Sequence, residues 1–401
     1  MSSLVEQGTV LLFLATIVVM VARRLRFPYV VGLVCAGFAV ASVWDRALVI
    51  ELSRGLLFTV LLPPLIFDGA LRLPWRALRR DLLIVIALAT VGVLLNAAIT
   101  SAAMHGIAGW PTISALAFGA LVAATDPVTV IATFRDLGIG GRIRMIVEAE
   151  SLFNDGTAAV LFGLVASIAG GGAVTPEAIA ANLSLAIGGG IACGIAVAFI
   201  ARFLAGQSPD PVTEIACTLV AAYGSFLLAE RLGGSGVIAT LSAGLIFGSN
   251  SAAVRPPLVA FWDFVAFAAN SLVFLLIGVQ LAREASSLLF TTSVLAVAAA
   301  TAGRAASVYP VAALFSRSEG RLSSTCQHLL VWGGLRGALA LALALGLPSA
   351  IPARQTIISA TFGVVAFSIV VQGITIAPLL RFLGIAKEPG VSKQAPRTTR
   401  S

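Results

Sequence analysis

The chain has 401 residues, a mean hydropathy of +1.01 and only 11% charged residues. Because a soluble globular domain carries about 25% charged residues, this composition excludes a soluble fold and predicts a protein integral to a membrane. The net charge of +8 does not indicate a nucleic-acid partner, since the basic residues fall in loops that flank apolar segments, where they report topology.

Thirteen apolar segments have the length and composition of membrane spans, which need about 20 residues and fewer where a helix is broken. They are predicted at roughly residues 8–23, 28–43, 55–71, 81–104, 112–134, 144–169, 175–203, 211–230, 235–249, 258–281, 288–315, 325–346 and 355–383. The sequence therefore predicts an all-α polytopic membrane protein of about 13 transmembrane helices. A polar tail at 384–401 is expected to be disordered and cytoplasmic.

The loop charges predict an orientation. With the N-terminus placed outside, most of the 26 lysine and arginine residues fall in the inside loops and the tail, as Arg76, Arg79 and Arg80 do. Because cytoplasmic loops carry the excess of positive charge, we expect a multi-pass protein of the cell membrane with its N-terminus outside and its C-terminus in the cytoplasm.

Ionisable residues at membrane depth are the first candidates for function, because their charge is costly in lipid and usually faces the interior of the helix bundle. Eight of them lie within the predicted spans and away from the obvious span ends: Asp68, Asp126, Glu148, Glu150, Asp155, Asp263, Arg304 and Arg336. The alternative role is a structural ion pair between helices. We expect that role for Glu150 and Arg336, since arginine keeps its proton and needs a fixed counter-charge.

The stretch "AATDPVTV" (123–130) interrupts span five. Pro127 cannot donate a backbone hydrogen bond and disfavours helical geometry at Asp126. A simple proline kink would not require an aspartate beside it. Because free backbone at membrane depth is tolerated where it lines a cavity or is buried in protein, a functional broken helix is predicted here.

Span six begins with "ESLFNDGTAAVLF" (150–162), in which Ser151 and Asp155 are four residues apart and share a helical face. Together with Thr125 at the break they offer hard oxygen ligands, which suit a cation such as Na⁺ or K⁺. A carboxylate removed from water also binds a proton more readily. Asp155 can then hold either a cation or a proton, and competition at one site produces exchange.

The stretch "WGGLRGALALALAL" (332–345) interrupts span twelve. Gly333, Gly334 and Gly337 weaken the helix around Arg336, which predicts a second break. Close helix packing through small residues is the alternative interpretation.

The two breaks indicate an internal repeat. Spans five and twelve are each fifth in a block of six if the span at about 175–203 is a linker, so the repeats at about 8–169 and 211–383 have opposite orientations. This is the inverted-repeat plan of secondary transporters, with a membrane domain at 1–383. Where the broken helices cross, positive helix N-termini would favour Asp126 and negative C-termini would favour Arg336.

Five segments occur in the order found in one family of transporters: "TDPV", "ESLFNDG", "SGVIATLSAGL" (235–245), "NSLVFLLIG" (270–278) and "GGLRGALALAL". Over nearly the whole membrane chain, the sequence resembles the monovalent cation:proton antiporters of the NhaP and NHE type. The resemblance implies a secondary active transporter and not an enzyme, with no cofactor. It also implies alternating access in a homodimer, whose core domain moves against a dimerisation domain in the lipid.

The resemblance also implies roles for residues of the ion site. Asp155 matches the cation- and proton-binding aspartate, with Asn154 as its neighbour. Thr125 and Asp126 match the unwound-helix pair, and Ser151 matches a hydroxyl near the ion. The implied Na⁺ ligands are Asp155, Ser151 and Thr125.

Three further residues have implied roles outside this group, and Asp68 is a further candidate for binding the cation or the proton. Glu150 and Arg336 match a structural ion pair between core helices. Arg304 matches a charge-compensating arginine, where electrogenic relatives carry lysine. Asp68 falls where the family usually has glutamate, and the shorter side chain puts its direct contact with the ion in doubt.

These residues predict the stoichiometry. Asn154 does not titrate and Arg304 keeps its proton, so fewer protons can move than in relatives with two adjacent aspartates. Asp126 is expected to stay ionised, held by arginine or by half-helix dipoles. We therefore expect electroneutral exchange of one cation for one proton.

Other functions fit parts of this pattern. A K⁺/H⁺ antiporter would use the same residues, and the sequence does not separate Na⁺ from K⁺ or Li⁺. A cation channel could be lined by the broken helices, although no repeated selectivity-filter segment is visible. A membrane-embedded enzyme could use Asp126 and Asp155 as a dyad, but no aspartate-rich metal motif accompanies them.

Overall fold

The computed structural model describes residues 2–25, 27–43, 52–207, 210–249, 256–284, 290–318 and 320–385. Within these ranges the regular structure is entirely helical. The helices are α1 (Ser2–Leu25), α2 (Tyr29–Val43), α3 (Leu62–Arg72), α4 (Trp75–Ala87), α5 (Val93–Gly106), α6 (Thr112–Ala123), α7 (Val128–Asp136), α8 (Arg142–Ala169), α9 (Pro176–Ser184), α10 (Gly190–Ala205), α11 (Pro211–Leu219), α12 (Ser225–Arg231), α13 (Gly236–Gly248), α14 (Pro256–Glu284), α15 (Phe290–Leu314), α16 (Ser324–Trp332), α17 (Ala338–Leu345), α18 (Arg354–Phe367) and α19 (Gly373–Phe382). The predicted tail lies outside the described residues from position 386 onward.

Several of these helices continue into one another through single π-helical turns. The turns are Leu56–Leu61 before α3, Leu88–Gly92 between α4 and α5, Leu185–Gly189 between α9 and α10, Val220–Gly224 between α11 and α12, and Ser368–Gln372 between α18 and α19. The four turns that lie between two helices therefore join each pair into one long helix with a local bulge in its hydrogen-bond ladder.

The polytopic all-α architecture is confirmed. Eight helical segments of the described chain are long and apolar enough to cross a membrane: Trp75–Gly106, Thr112–Asp136, Arg142–Ala169, Pro176–Ala205, Pro211–Arg231, Pro256–Arg283, Thr291–Leu314 and Arg354–Phe382. Shorter apolar helices cover Gln7–Ala22, Tyr29–Ser42 and Gly236–Gly248. Every predicted span coincides with helix, while the number of crossings, about thirteen, stays a prediction.

Both predicted helix breaks are present. The first separates α6 from α7 at residues 124–127, and the second separates α16 from α17 at residues 333–337. The two breaks touch, because the Asp126 N–H donates to the Leu335 carbonyl at 2.7 Å. Four half-helix ends therefore meet at one point inside the bundle.

Local chemistry explains the position of each break. Pro127 has no N–H to offer to the preceding turn, and Ala124 already has an extended conformation with ψ of 140°. At the second break Gly337 packs directly on the Asp126 carboxylate, and a Cβ at this position would overlap it. The missing side chain of Gly337 thus permits the crossing of the two segments.

Helix α8 lies at the centre of this arrangement. It packs against α4, α6, α3 and α13. Two close approaches fix it there, with Leu152 against Gly69 of α3 and Gly156 against Ile238 of α13. The residues between these contacts are held beside the break in α6–α7.

Candidate ion-binding site

One turn of α8 is hydrogen-bonded to the unwound segment after α6. The Asn154 amide donates to the Ala123 carbonyl at 3.1 Å and to Thr125 Oγ1 at 3.0 Å. The Ser151 hydroxyl donates to the Thr125 carbonyl at 2.5 Å and accepts from Thr125 Oγ1 at 3.2 Å. Because the last carbonyls of a helix have no partner within it, these donors satisfy the C-terminal end of α6.

Asp155 lies beside this network with an uncommitted oxygen. Within the described part of the chain, its buried Oδ1 has no hydrogen-bond partner, and neither has the buried Oδ1 of Asn154. The backbone N–H of Thr125 also faces the Asp155 carboxylate. Since buried polar atoms without partners are rare in native structures, these two oxygens are chemically suited to a transient cation. The Asp155 oxygen can alternatively bind a proton.

The hydroxyls of Ser151 and Thr125 can contribute to such a site. Each hydroxyl oxygen has two acceptor lone pairs, and each uses one to accept a hydrogen bond in the network. Spacing along the helix had grouped Ser151 with Asp155. The structure instead joins Ser151 and Asn154 through Thr125, because the unwound segment passes over both.

Asp126 lies where two helices begin. Its Oδ1 accepts from the Val128 N–H at 2.9 Å, and the Ala338 N–H faces the same carboxylate. Val128 and Ala338 are the first residues of α7 and α17. The positive ends of two helix dipoles therefore converge on this aspartate, as the crossing of the breaks predicted.

Glu150 does not pair with the arginine that the sequence suggested. Its carboxylate forms two parallel hydrogen bonds with Arg304 of α15, Oε1 to Nη1 at 2.7 Å and Oε2 to Nη2 at 2.9 Å. Both side chains are buried. The expectation of a pair between Glu150 and Arg336 was therefore wrong. Helix α15 instead brings the planar guanidinium of Arg304 edge to edge with the Glu150 carboxylate.

Arg336 is buried in the second break and makes no ion pair among the residues that the structure describes. Its guanidinium donates to the Gly334 carbonyl and, at 3.3 Å, to the Ala300 carbonyl. Arg304 Nε also donates to the Leu330 carbonyl at 3.0 Å. Both guanidinium groups thus donate hydrogen bonds at the negative C-terminal end of α16. The helix-dipole argument had predicted this position for Arg336.

Asp68 is engaged elsewhere. Its carboxylate pairs with Arg72, one turn later in α3, at 2.7 Å, and Arg72 also reaches Asp263 of α14 at 3.1 Å. Glu148 of α8 pairs with Arg144 at 3.8 Å and borders the same cluster. Sequence reasoning missed Arg72 as the partner of Asp68, although their spacing of four residues is the usual signal of such a pair.

A small polar cavity adjoins the ion-site network. It measures about 10 Å³, about the room that one water needs, and its lining includes Thr125, Ser151, Glu150 and Arg304. A much larger apolar cavity of about 410 Å³ lies between α10 and α11, lined by residues such as Ile200 and Cys217. The hydrogen-bonded side chains of the ion-site network therefore border the small cavity at the breaks and not this apolar one.

Comparisons with known proteins find one matching family and several similar sequences. The family described as "Sodium/hydrogen exchanger, transmembrane" matches residues 9–382. The Na⁺/H⁺ antiporter ApNhaP of Aphanothece halophytica is 38% identical over 90% of this chain and 70% of its own length. The low-affinity Na⁺/H⁺ antiporter NhaS1 of Synechocystis is 36% identical over 94% of this chain and 73% of its own.

Two further similarities extend over almost complete proteins. The Na⁺/H⁺ antiporter NhaP of Pseudomonas aeruginosa is 33% identical over 90% of this chain and 89% of its own length. The solved structure of the sodium proton antiporter MjNhaP1 from Methanocaldococcus jannaschii superimposes with a TM-score of 0.75 at 20% identity. That match covers 96% of this chain and 99% of the other and shows a common fold.

Proposed function

The chain belongs to the sodium/hydrogen exchanger family, and from this premise we propose that it exchanges Na⁺ for H⁺ across the cell membrane by alternating access. The observation that carries the proposal is the buried Oδ1 of Asp155, which lacks a hydrogen-bond partner in the described chain. This oxygen lies where two broken helices cross, the arrangement that secondary transporters use for substrate sites.

Asp155 is the group that binds cation and proton in turn. Na⁺ is a hard cation and prefers oxygen ligands. Suitable oxygens here are those of the Asp155 carboxylate, the side-chain amide of Asn154 and the hydroxyls of Ser151 and Thr125. When Na⁺ leaves, a proton takes the same carboxylate. Because one oxygen serves both substrates, the two cannot be bound together, and each excludes the other from the site.

The surrounding charges keep the site neutral in both loaded states. Glu150 and Arg304 cancel within their pair, at 2.7 and 2.9 Å. In this proposal Asp126 and Arg336, on the two neighbouring breaks, contribute one negative and one positive charge. Asp155 then becomes neutral with either one Na⁺ or one proton. We therefore propose electroneutral exchange of one cation for one proton.

The remaining features of the proposal concern the whole protein. We propose an inverted repeat of residues 8–169 and 211–383 around a linker at 175–203, with the N-terminus outside and the C-terminus in the cytoplasm. The protein is proposed to work as a homodimer without a cofactor. Asp68, held by Arg72, is proposed to act outside the first coordination shell of the ion.

Proton flux in vesicles tests the function. The purified protein is reconstituted with a pH-sensitive dye inside the vesicles, and Na⁺, Li⁺, K⁺ or choline is added outside at equal ionic strength. We expect proton efflux with Na⁺ and none with choline. A response to K⁺ alone would favour the K⁺/H⁺ antiporter, and cation flux that is independent of the proton gradient would favour a channel.

A further inference from the structure

The first turns of α4 carry three exposed arginines, Arg76, Arg79 and Arg80. Their spacing of three and four residues places them on one face of the helix. No carboxylate pairs with them among the residues that the structure describes. The neighbouring acid, Asp81, is buried and already engaged by Arg142 of α8 at 2.6 Å. The positive charge of this face is therefore not neutralised within the protein.

The same face becomes apolar further along the helix. Leu83 is 77% exposed, and Ile86, Val91 and Leu94 continue the exposed stripe into the bulge and α5. Trp75, an amphipathic residue typical of membrane interfaces, is exposed at the start of α4. The change from arginine to leucine within one turn places the guanidinium groups at the level of the lipid headgroups and the leucine stripe against acyl chains.

The loop between α15 and α16 adds charge beside this face. Arg142 bridges the two elements, because it holds Asp81 of α4 and donates to the Arg321 carbonyl at 3.0 Å. Arg317 and Arg321 of this loop are exposed. Since the loop contains a single acid, Glu319, it keeps an excess of positive charge.

We propose that this surface, formed by Arg76, Arg79, Arg80, Arg317 and Arg321, binds the headgroups of anionic phospholipids. Guanidinium groups bind phosphate oxygens through paired, charge-assisted hydrogen bonds. The apolar stripe beside the arginines selects a lipid over a soluble phosphate, because only a lipid can cover both the charged and the apolar part. Helix α4 packs on α8, so the lipid contacts the same packed unit that carries Asp155.

The direct test is lipid retention by the full-length protein, measured by native mass spectrometry after purification with an equal mixture of phosphatidylglycerol and phosphatidylcholine. The test variant is R76Q/R79Q/R80Q, and the matched control is R24Q/R231Q/R381Q, which removes three exposed arginines from other helices. The wild type and the control are expected to retain phosphatidylglycerol preferentially. Each arginine near an anionic membrane contributes about a fivefold preference for anionic lipid. The preference of the test variant for phosphatidylglycerol over phosphatidylcholine should therefore be at least about tenfold lower than that of the wild type.

Two further measurements keep the outcome decisive. Excess inorganic phosphate should leave the bound phosphatidylglycerol in place. Displacement of the lipid by phosphate would show that the site binds free anions and would overturn the proposal. Equal retention by the test variant and the control would show a general charge effect and would also overturn it. If the triple variant does not fold, the single variants R79Q and R80Q are compared with R231Q. The preference for phosphatidylglycerol should fall about fivefold in R79Q and in R80Q and should not change in R231Q.

Discussion

The carboxylate of Glu150 and the guanidinium of Arg304 meet in two parallel hydrogen bonds of 2.7 and 2.9 Å, both inside the helix bundle. The same arginine holds the Leu330 carbonyl at the end of α16. One ion pair therefore ties α8, which carries Asp155, to the first half of the second broken helix. Since both side chains are buried and each satisfies the charge of the other, we interpret the pair as a fixed structural link that does not take part in ion exchange.

This link predicts a specific loss of stability. Glu150→Ala or Arg304→Ala leaves one buried charge unpaired and should cost about 3–5 kcal/mol. Thermal unfolding in detergent measures the loss, and a double-mutant cycle assigns it to the pair. We expect strong coupling between Glu150 and Arg304 and weaker coupling between Glu150 and Arg336. The reverse order would restore the pairing that the sequence suggested.

Asp155→Asn should abolish exchange without unfolding the protein. Asparagine has nearly the same shape but neither binds a proton at working pH nor attracts a cation. Na⁺-driven proton flux in vesicles measures the loss, and the melting temperature reports the fold. Glu177→Gln, which removes an exposed acid in α9, is the control and should transport like the wild type. Exchange by the Asp155 variant at the wild-type rate would disprove its assigned role.

Asp68→Asn should have a smaller effect than Asp155→Asn. The Asp68 carboxylate is held by Arg72 at 2.7 Å, and Arg72 keeps Asp263 as a second partner when Asp68 is changed. We expect a reduced but measurable rate of exchange. The two variants are compared at equal protein density in the same vesicles. A complete loss in both would place Asp68 among the residues that bind the ion directly.

Gly337→Ala should damage the crossing of the broken helices, because the new methyl group would overlap the Asp126 carboxylate. Overpacking of this kind costs about 1–3 kcal/mol, and the displaced carboxylate should also lower the transport rate. Gly163→Ala in α8 is the matched control, since no atom lies within 4 Å of its added Cβ. That variant should keep or slightly raise the melting temperature, because alanine is a better helix former than glycine.

The one-for-one mechanism predicts that transport ignores the membrane potential. Asp155 changes its proton once per cycle, while Asp126 is held by two helix N-termini and Arg304 by Glu150. Vesicles with a fixed pH gradient and an imposed potential provide the measurement. Flux should follow the pH step alone. An electrical current that reverses with the ion gradient would show that more than one proton moves per cation.

The helices and their breaks could be predicted from the sequence because they depend on local properties. Apolar length marks each span, and every predicted span coincides with helix in the described chain. Pro127 and the glycines around Arg336 act on the backbone of their own segments, so both breaks appeared at the expected positions. The contact between the two breaks agrees with the expectation that the broken helices cross.

The partners of the buried charges were decided only by the tertiary structure. Arg304 and Arg336 carry the same group and both lie far along the chain from Glu150, so spacing gave no means of choosing between them. The choice depends on the direction in which α15 presents its side chain to α8. In the same way, the uncommitted oxygen of Asp155 is a property of its surroundings. The unwound segment accepts hydrogen bonds from the Asn154 amide nitrogen and the Ser151 hydroxyl, and it leaves the Oδ1 atoms of Asp155 and Asn154 without a partner in the described chain.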